Sequence, residues 1–313
     1  MTQYVIGING GGSHSRLVAI DENMKVLGWA EGGPTNIAAK SYEDVLANIQ
    51  SLLDEFCSKT GANLQECIYI CMGSAGASTG ANGKLLEQIF RTIGYGGELK
   101  VMNDAELVLL AETKGASGAI IISGTGSVGY AVNGQGTVFR VGGWGHIIDD
   151  GGSGYRIGMD AIHSALMDFD GRGERTLLRK MITDFFGYDT TDGLTGYVYG
   201  KEFDKAKIAE VAMLVEEAAT QDDNVAIQIL QQASKSLVSL AHTLIKQAVL
   251  DERKIILSGS VLLNSKHIRS FFENEICKAF PKMQIVEITK VAEMGAAHLA
   301  WQHCKFNSKG NNM

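Results

Sequence analysis

A short apolar strand that runs into a turn of glycines and hydroxyls occurs twice in this chain, and no other feature constrains the fold as much. The first copy is Ile6-Gly7-Ile8-Asn9-Gly10-Gly11-Gly12-Ser13; the second is Ile121-Ile122-Ser123-Gly124-Thr125-Gly126-Ser127. Each turn re-enters a second apolar stretch, at 16–20 and 128–132. Without Cβ atoms in the way, such a turn can bring bare backbone N–H groups against an anion. Two of them predict two similar halves holding one phosphate chain from opposite sides.

The pattern between the turns is that of an α/β chain. Residues 4–8, 16–20 and 25–30 read as strands. Residues 42–58 carry apolar positions at helical spacing, with Ser41 as N-cap and Asp44 three residues on. Strands follow at 67–72 and 98–102, with helices at 83–93 and from Ala105 to about 113. The second half reopens with strands at 118–123, 127–132 and 137–141. A helical region then runs from about 153 to 250, irregular near 187–200. A strand at 254–257, a helix, a strand at 283–288 and a helix at 292–304 close the chain. Ligands in such folds sit at strand ends.

At 313 residues the chain suits two domains. A net charge of −7 with no Lys/Arg cluster argues against nucleic acid as the partner. The start lacks the features of a signal peptide, and no apolar run reaches membrane-spanning length. Five cysteines form no CxxC pair, which fits reduced thiols in a cytoplasm. Cys67 and Cys71, inside a strand, read as small buried hydrophobes.

Taken together and in order, the motifs resemble the actin-like ATPase superfamily, and within it the branch of BadF/BadG-type ATPases and N-acetylglucosamine kinases. The resemblance rests on residues 7–15, 34–36, 103–105, 122–127, 142–154, 257–261 and 294–297. The GGWGH segment at 142–146 is the most specific of these. The resemblance implies two actin-like domains, each a mixed sheet flanked by helices, with a nucleotide cleft between them. The first would span 1–112 plus a C-terminal helix at about 292–305, and the second 113–291.

The same resemblance implies ATP as cofactor, clasped by Gly10, Gly11, Gly12 and Ser13 and by Gly124, Thr125 and Gly126. Gly259, Ser260 and Gly295 would border the adenosine. Asp104 would be the base that takes the proton of a sugar hydroxyl; read locally, Asp104 or Asn103 simply caps the helix that follows. Asn36, Ser127, Gly143, Trp144, Gly145 and Asp150 would hold the sugar, because carboxylates and amides suit hydroxyl recognition. His146 reads as a structural hydrogen-bonder. The function implied is ATP-dependent phosphorylation of the 6-hydroxyl of an N-acetylated amino sugar, by a homodimer with Mg²⁺.

Two positions depart from the family pattern. Asn9 stands where an acidic residue usually helps hold the hydration shell of Mg²⁺, so any metal role of residue 9 would run through water. Asp149-Asp150-Gly151 stands where the family commonly has Gly-Asp-Glu. Losing a carboxylate at Gly151 would open room for a sugar with its own acidic group, such as the lactyl ether of N-acetylmuramic acid; alternatively Gly151 only eases a tight turn. Three rival functions are a BadF-type activator with a cysteine-held iron–sulfur cluster, a sugar sensor or actin-like assembly protein, and a zinc-binding glucokinase. The Cys67/Cys71 spacing suits the first poorly, and the cysteine-rich loop of the last is missing.

Overall fold

The computed structural model describes residues 3–77, 80–250, 253–288 and 291–310, with side chains of the last helix described as far as Cys304. These residues form two compact units. One comprises the chain through Ala116 together with everything from Ile288 onward; the other is Ser117–Glu287.

The first unit opens with an antiparallel meander, β1 (Tyr4–Gly10), β2 (Ser15–Asp21) and β3 (Val26–Gly32). Helix α1 (Tyr42–Thr60) follows, with Ser41 Oγ accepting the Asp44 N–H at 3.1 Å. Gly61, at φ +71°, closes it in the left-handed conformation that glycine adopts most easily. Its buried stripe, Val45, Ile49, Leu52, Leu53 and Phe56, has the predicted helical spacing. Then come β4 (Cys67–Ser74), α2 (Asn82–Thr92), β5 (Glu98–Met102) and α3 (Asp104–Thr113). β4 and β5 run parallel to β1, and the sheet order is β3-β2-β1-β4-β5.

The second unit repeats the scheme with β6 (Gly118–Ser123), β7 (Ser127–Val132) and β8 (Val138–Gly142). Five helices occupy the region expected to be helical: α4 (Gly154–Asp170), α5 (Leu178–Phe186), α6 (Gly193–Val198), α7 (Lys205–Ala219) and α8 (Asn224–Gln247). Gly171 and Gly187, both left-handed, end α4 and α5. Asp223 caps α8 through the Ala226 N–H and also accepts from Thr176 Oγ1 and the Leu177 N–H, which ties the 171–177 turn to that helix. β9 (Lys254–Ser258), α9 (Ser260–Asn264), α10 (Lys266–Ala279) and β10 (Gln284–Glu287) complete the unit. Its sheet order, β10-β9-β6-β7-β8, is that of the first sheet with β6–β10 in the places of β1–β5. The repeated strand-and-turn sequence therefore marks a repeated topology.

The last helix, α11 (Ala292–Gly310), packs in the first unit. A Cβ at Gly7 of β1 would lie 2.1 Å from the Glu293 carbonyl oxygen and 2.4 Å from the Ala297 nitrogen, so helix and strand meet backbone to backbone there. The two faces of the first sheet carry separate cores. Tyr4, Ile6 and Ile8 pack with α1 and α2, while Val5 and Val18 pack with Leu107 of α3 and Ala296, Ala297 and Ala300 of α11.

Candidate active site

In the first unit, parallel pairing aligns the C-terminal ends of three strands. Gly10 of β1 lies opposite Ser74 of β4, and Gly73 opposite Met102 of β5. One sheet edge therefore carries the first glycine turn and the Asn103-Asp104 step. The Gly11 N–H donates to the His14 carbonyl at 3.0 Å, closing the turn, and the Thr35 N–H donates to the Gly11 carbonyl at 3.2 Å. That bond brings in the 33–36 segment. A Cβ at Gly10 would sit 2.1 Å from Thr35 Oγ1, so glycine is required for the approach. A Cβ at Gly12 would have only Asn36 Nδ2 nearby, at 3.9 Å, and Gly12 and Ser13 are exposed. The outer part of the turn is thus bare backbone, as an anion cradle requires, and Asn36 stands beside it. Asn36 Oδ1 accepts the Ala38 N–H at 3.0 Å, which fixes the amide plane. Asn9 is half-buried at the end of β1.

Asp104 is the first residue of α3, and Asn103 is its N-cap. The Ala105 N–H has two acceptors, Asn103 Oδ1 at 2.9 Å and Asp104 Oδ1 at 3.0 Å. The cap and the candidate base are therefore separate residues. Desolvation raises the Asp104 carboxyl above its ordinary value, with the Ala105 N–H pulling it partly back. A carboxylate that binds protons more readily than a solvated one is a better general base.

In the second unit the Gly124–Gly126 turn is closed by the Gly124 N–H donating to the Gly126 carbonyl at 3.0 Å. Its own carbonyls accept from the start of α4: Gly124 from the Gly154 N–H at 2.7 Å, and Thr125 from the Tyr155 N–H at 3.3 Å. A Cβ at Gly124 would meet Ser260 N at an ordinary 3.8 Å, whereas one at Gly259, which has φ +89°, would be 2.3 Å from the Ser123 carbonyl oxygen. The structure thus brings Gly124, Thr125, Gly259 and Ser260 together. A cavity of about 350 Å³ opens beside them. Ile157, Leu230, Val261 and Met213 give it apolar walls, and Thr125, Glu210, Glu216, Asn264, Ser260 and Ser265 are its polar groups. An apolar slot with a few convergent polar groups fits a purine nucleoside. Burial opposes charge on Glu216, yet hydrogen bonds from Ser265 Oγ and from His267 outweigh it and hold the carboxyl below its ordinary value. Gly295 does not line this cavity. It is buried in the first unit, where a Cβ would strike Ala111 Cβ of α3 at 2.1 Å; its lack of a side chain serves a helix crossing.

The loop after β8 holds the remaining candidates. Gly143 and Gly145, at φ +72° and +101°, bracket Trp144, whose side chain is left exposed. The Arg140 guanidinium lies 4.8 Å from the centroid of the Trp144 ring, donates from Nε to the Gly142 carbonyl at 3.2 Å, and donates from Nη2 to the Gly143 carbonyl. The Trp144 N–H donates to Asp149 Oδ2 at 3.2 Å. Asp150 is buried with φ +61°, a strained setting for a residue with a side chain. Its carboxylate faces the Gly124–Gly126 turn, 3.0 Å from where a Gly126 Cβ would stand. Desolvation raises its carboxyl above the ordinary value, countered first by the Gly145 N–H. Ser127 Oγ donates to the Gly151 carbonyl at 2.9 Å, joining the two segments. His146 packs edge-on against Tyr155, 4.8 Å between centroids, consistent with a structural role.

Residues 6–300 match the BadF/BadG/BcrA/BcrD ATPase family. The chain belongs to this family. It is 36% identical over 304 residues to the N-acetylmuramic acid/N-acetylglucosamine kinase of Clostridium acetobutylicum, covering 96% of this chain and 99% of that one. It is 26% identical over 308 residues to the N-acetyl-D-glucosamine kinase of Dictyostelium discoideum, covering 94% and 97%. A solved structure from Chromobacterium violaceum, provisionally named an N-acetylglucosamine kinase, superposes with a TM-score of 0.74 at 26% identity, covering 96% and 99%. The fold, two mixed five-stranded sheets flanked by helices, is the actin-like ATPase fold.

The sequence reading missed Met213, Glu216, Asn264 and Ser265 in the nucleoside-sized cavity, and Arg140 beside Trp144. No local motif marks them; they meet only because α7, α9 and α10 converge. It placed Cys67 and Cys71 correctly as buried. They lie in the cores on opposite faces of the sheet, and desolvation pushes each thiol up to about 12. Two neutral thiols on opposite faces cannot jointly ligate a cluster.

Proposed function

We propose that this chain is an ATP-dependent kinase of N-acetylated amino sugars, N-acetylglucosamine or N-acetylmuramic acid, transferring phosphate to the 6-hydroxyl in amino-sugar or cell-wall sugar salvage. The observation that carries this reading is the 36% identity, over nearly the whole of both chains, to a kinase named for those two sugars. It is supported by bare glycine turns at the ends of both sheets and by a nucleoside-sized cavity beside the second.

In this reading the backbone N–H groups around Gly10–Ser13 and Gly124–Gly126 bind the ATP phosphates, and the adenosine occupies the cavity beside Ser260. Asp104 orients the sugar 6-hydroxyl and accepts its proton as the oxygen bonds to the γ-phosphorus and the bond from that phosphorus to the β,γ-bridging oxygen breaks, leaving ADP. Asn36, Ser127, Asp150 and the backbone of Gly143 and Gly145 bond the other sugar hydroxyls, with Trp144 against the ring. Among the described residues no cluster of His, Cys, Asp and Glu could hold a metal by itself. Asn9, half-buried at the end of β1, has an amide oxygen that would accept from a water of Mg²⁺ carried on the nucleotide phosphates. When bound, Mg²⁺ neutralises phosphate charge. No described helix is long and apolar enough to cross a membrane; we place the enzyme in the cytoplasm, with its ATP, as a homodimer.

The test is an ATP-dependent phosphorylation panel of glucose, glucosamine, N-acetylglucosamine and N-acetylmuramate. Transfer confined to acetylated sugars is expected. Equal rates on glucose would remove the sugar assignment, and no transfer to any sugar would remove the kinase reading.

A further inference from the structure

The larger cavity of the second unit, about 690 Å³, lies between the 142–151 loop and one face of α8. Its loop side includes Ser127 and Trp144, both already proposed to contact the sugar. Its helix side is polar. Lys235, Ser236 and Ser239 face it at helical spacing, while Ala233, Leu237 and Ala241 on the opposite face of α8 are in the core. Only two charged groups line the cavity, Asp149 and Lys235. Asp149 accepts the Trp144 N–H, whereas Lys235 forms no ion pair among the described residues. The wall thus offers one uncommitted cation flanked by hydroxyls.

Gly151 forms the rim. Its φ lies outside the left-handed region, so the turn does not demand glycine there; Asp150 and Gly152 carry the positive φ values, +61° and +82°. A Cβ at Gly151 would instead sit 3.1 Å from Ser236 Cβ and 3.2 Å from Ser236 Oγ, so glycine lets the loop pass this close to α8, and a longer side chain would have to turn into the cavity that Gly151 lines. Glycine at this position keeps the space beside Lys235 open.

We propose that this cavity is a subsite for an acidic substituent on the amino sugar, with Lys235 as its counter-charge and the Ser239 hydroxyl as a hydrogen-bond donor, the Ser236 hydroxyl already donating to the Gln232 carbonyl at 3.1 Å. The inference rests on the amino-sugar kinase reading and names the substrate class within it: sugars that carry a carboxylate, such as the lactyl ether of N-acetylmuramate. An ammonium beside hydroxyls binds a carboxylate through charge-assisted hydrogen bonds, whereas a neutral hydroxyl at the same place on the sugar gains far less.

The experiment compares kcat/KM for N-acetylmuramate and N-acetylglucosamine in the unmodified protein, Lys235→Met, Lys235→Arg and Gly151→Glu. The ratio of the two is expected to fall about five- to tenfold in Lys235→Met, through KM for N-acetylmuramate, and to recover most of that loss in Lys235→Arg. Gly151→Glu should lower it at least as far, because the new side chain would extend into the cavity that Gly151 lines and its carboxylate would pair with Lys235. In the unmodified protein the ratio should decline with added salt, and Lys235→Met should flatten that dependence. A ratio within twofold of the parent in both Lys235→Met and Gly151→Glu overturns the subsite. So does a parent protein that phosphorylates N-acetylglucosamine but not N-acetylmuramate. A parent inert on both sugars, yet folded and binding ATP, overturns the kinase reading itself and the subsite with it.

Discussion

Asp104→Asn separates a catalytic carboxylate from a structural one more cleanly than the sequence allows. Asn103, not Asp104, is the N-cap of α3, and the Ala105 N–H already has Asn103 Oδ1 at 2.9 Å. The 0.5–2 kcal/mol that a cap typically contributes, roughly, is therefore retained in the variant. The replacement amide also keeps an oxygen where Oδ1 accepts from Ala105. What disappears is the ability to take a proton. Loss of a positioned base costs roughly 10²–10⁴ in rate, which is about 2.7–5.5 kcal/mol of barrier at 1.36 kcal/mol per decade.

Stability should move the other way. Burial raises the folded-state pKa of Asp104 above its unfolded value. Between those two values the folded state binds more protons than the unfolded one, so this group's contribution to stability falls as pH rises and stays low at neutrality. A neutral Asn removes that cost. The expected result is a thermal midpoint at pH 7 equal to or above the parent's, with kcat down 10²-fold or more as estimated above. The assay is steady-state phosphorylation of N-acetylglucosamine alongside thermal unfolding of both proteins. The kcat/KM profile of the parent should also lose activity on its acid side at a higher pH than a solvated aspartate would give. Turnover within twofold of the parent would refute the base. A midpoint several degrees lower, with activity lost in proportion, would show that the residue is structural.

Three further outcomes follow from the geometry. Gly124→Ala places its Cβ 3.8 Å from the nearest atom, so the protein should fold normally, while the methyl obstructs the phosphate turn and raises KM for ATP about tenfold or more in initial-rate assays. Gly7→Ala forces a Cβ to 2.1 Å from a backbone oxygen of α11 that cannot rotate away, and denaturant unfolding should show a loss of at least roughly 1–3 kcal/mol. Glu216 is held charged by Ser265 and His267, so Glu216→Gln should be less stable than the parent at neutral pH; the gap should be full above the ordinary glutamate range and close as pH falls through the lowered folded-state pKa, as read by thermal scans across pH.

What was legible in the sequence was what local chemistry specifies. The strand-to-glycine turns could be read because a turn that presents bare N–H groups needs residues without Cβ atoms, and both turns stand at strand ends in sheets of identical order. The α1 cap could be read because Ser41 and Asp44 are three residues apart. The faces that complete the cavities could not. Lys235, Ser236 and Ser239 form a polar stripe whose spacing matches any solvated helix face, and only the position of the 142–151 loop makes it the wall of a cavity. Glu216, Asn264 and Ser265 lie on segments far apart in sequence. A glycine that lets a helix approach, as Gly295 does at Ala111, looks the same in sequence as one that lets a ligand approach.

The repeated topology also indicates where specificity can change without loss of the phosphate grip. In each sheet the turn after the first strand is fixed by backbone bonds to its own surroundings, Thr35 to Gly11 in one and Gly154 to Gly124 in the other. Side-chain substitutions nearby leave those bonds in place. The second unit differs from the first in inserting the five helices α4 to α8 between its third and fourth strands, where the first inserts α1 and a short 3-10 turn at Leu64–Glu66. α8 comes from that insertion, and it faces the loop that carries Trp144 and Gly151. If the proposed subsite is correct, the accepted sugar should change at residues 151, 235 and 236 while both glycine turns stay as they are. Substrate range in this family should therefore track the pairing between the 142–151 loop and α8, not the glycine turns, and exchanging residues 149–151 together with 235–236 should change sugar preference while leaving KM for ATP within about twofold.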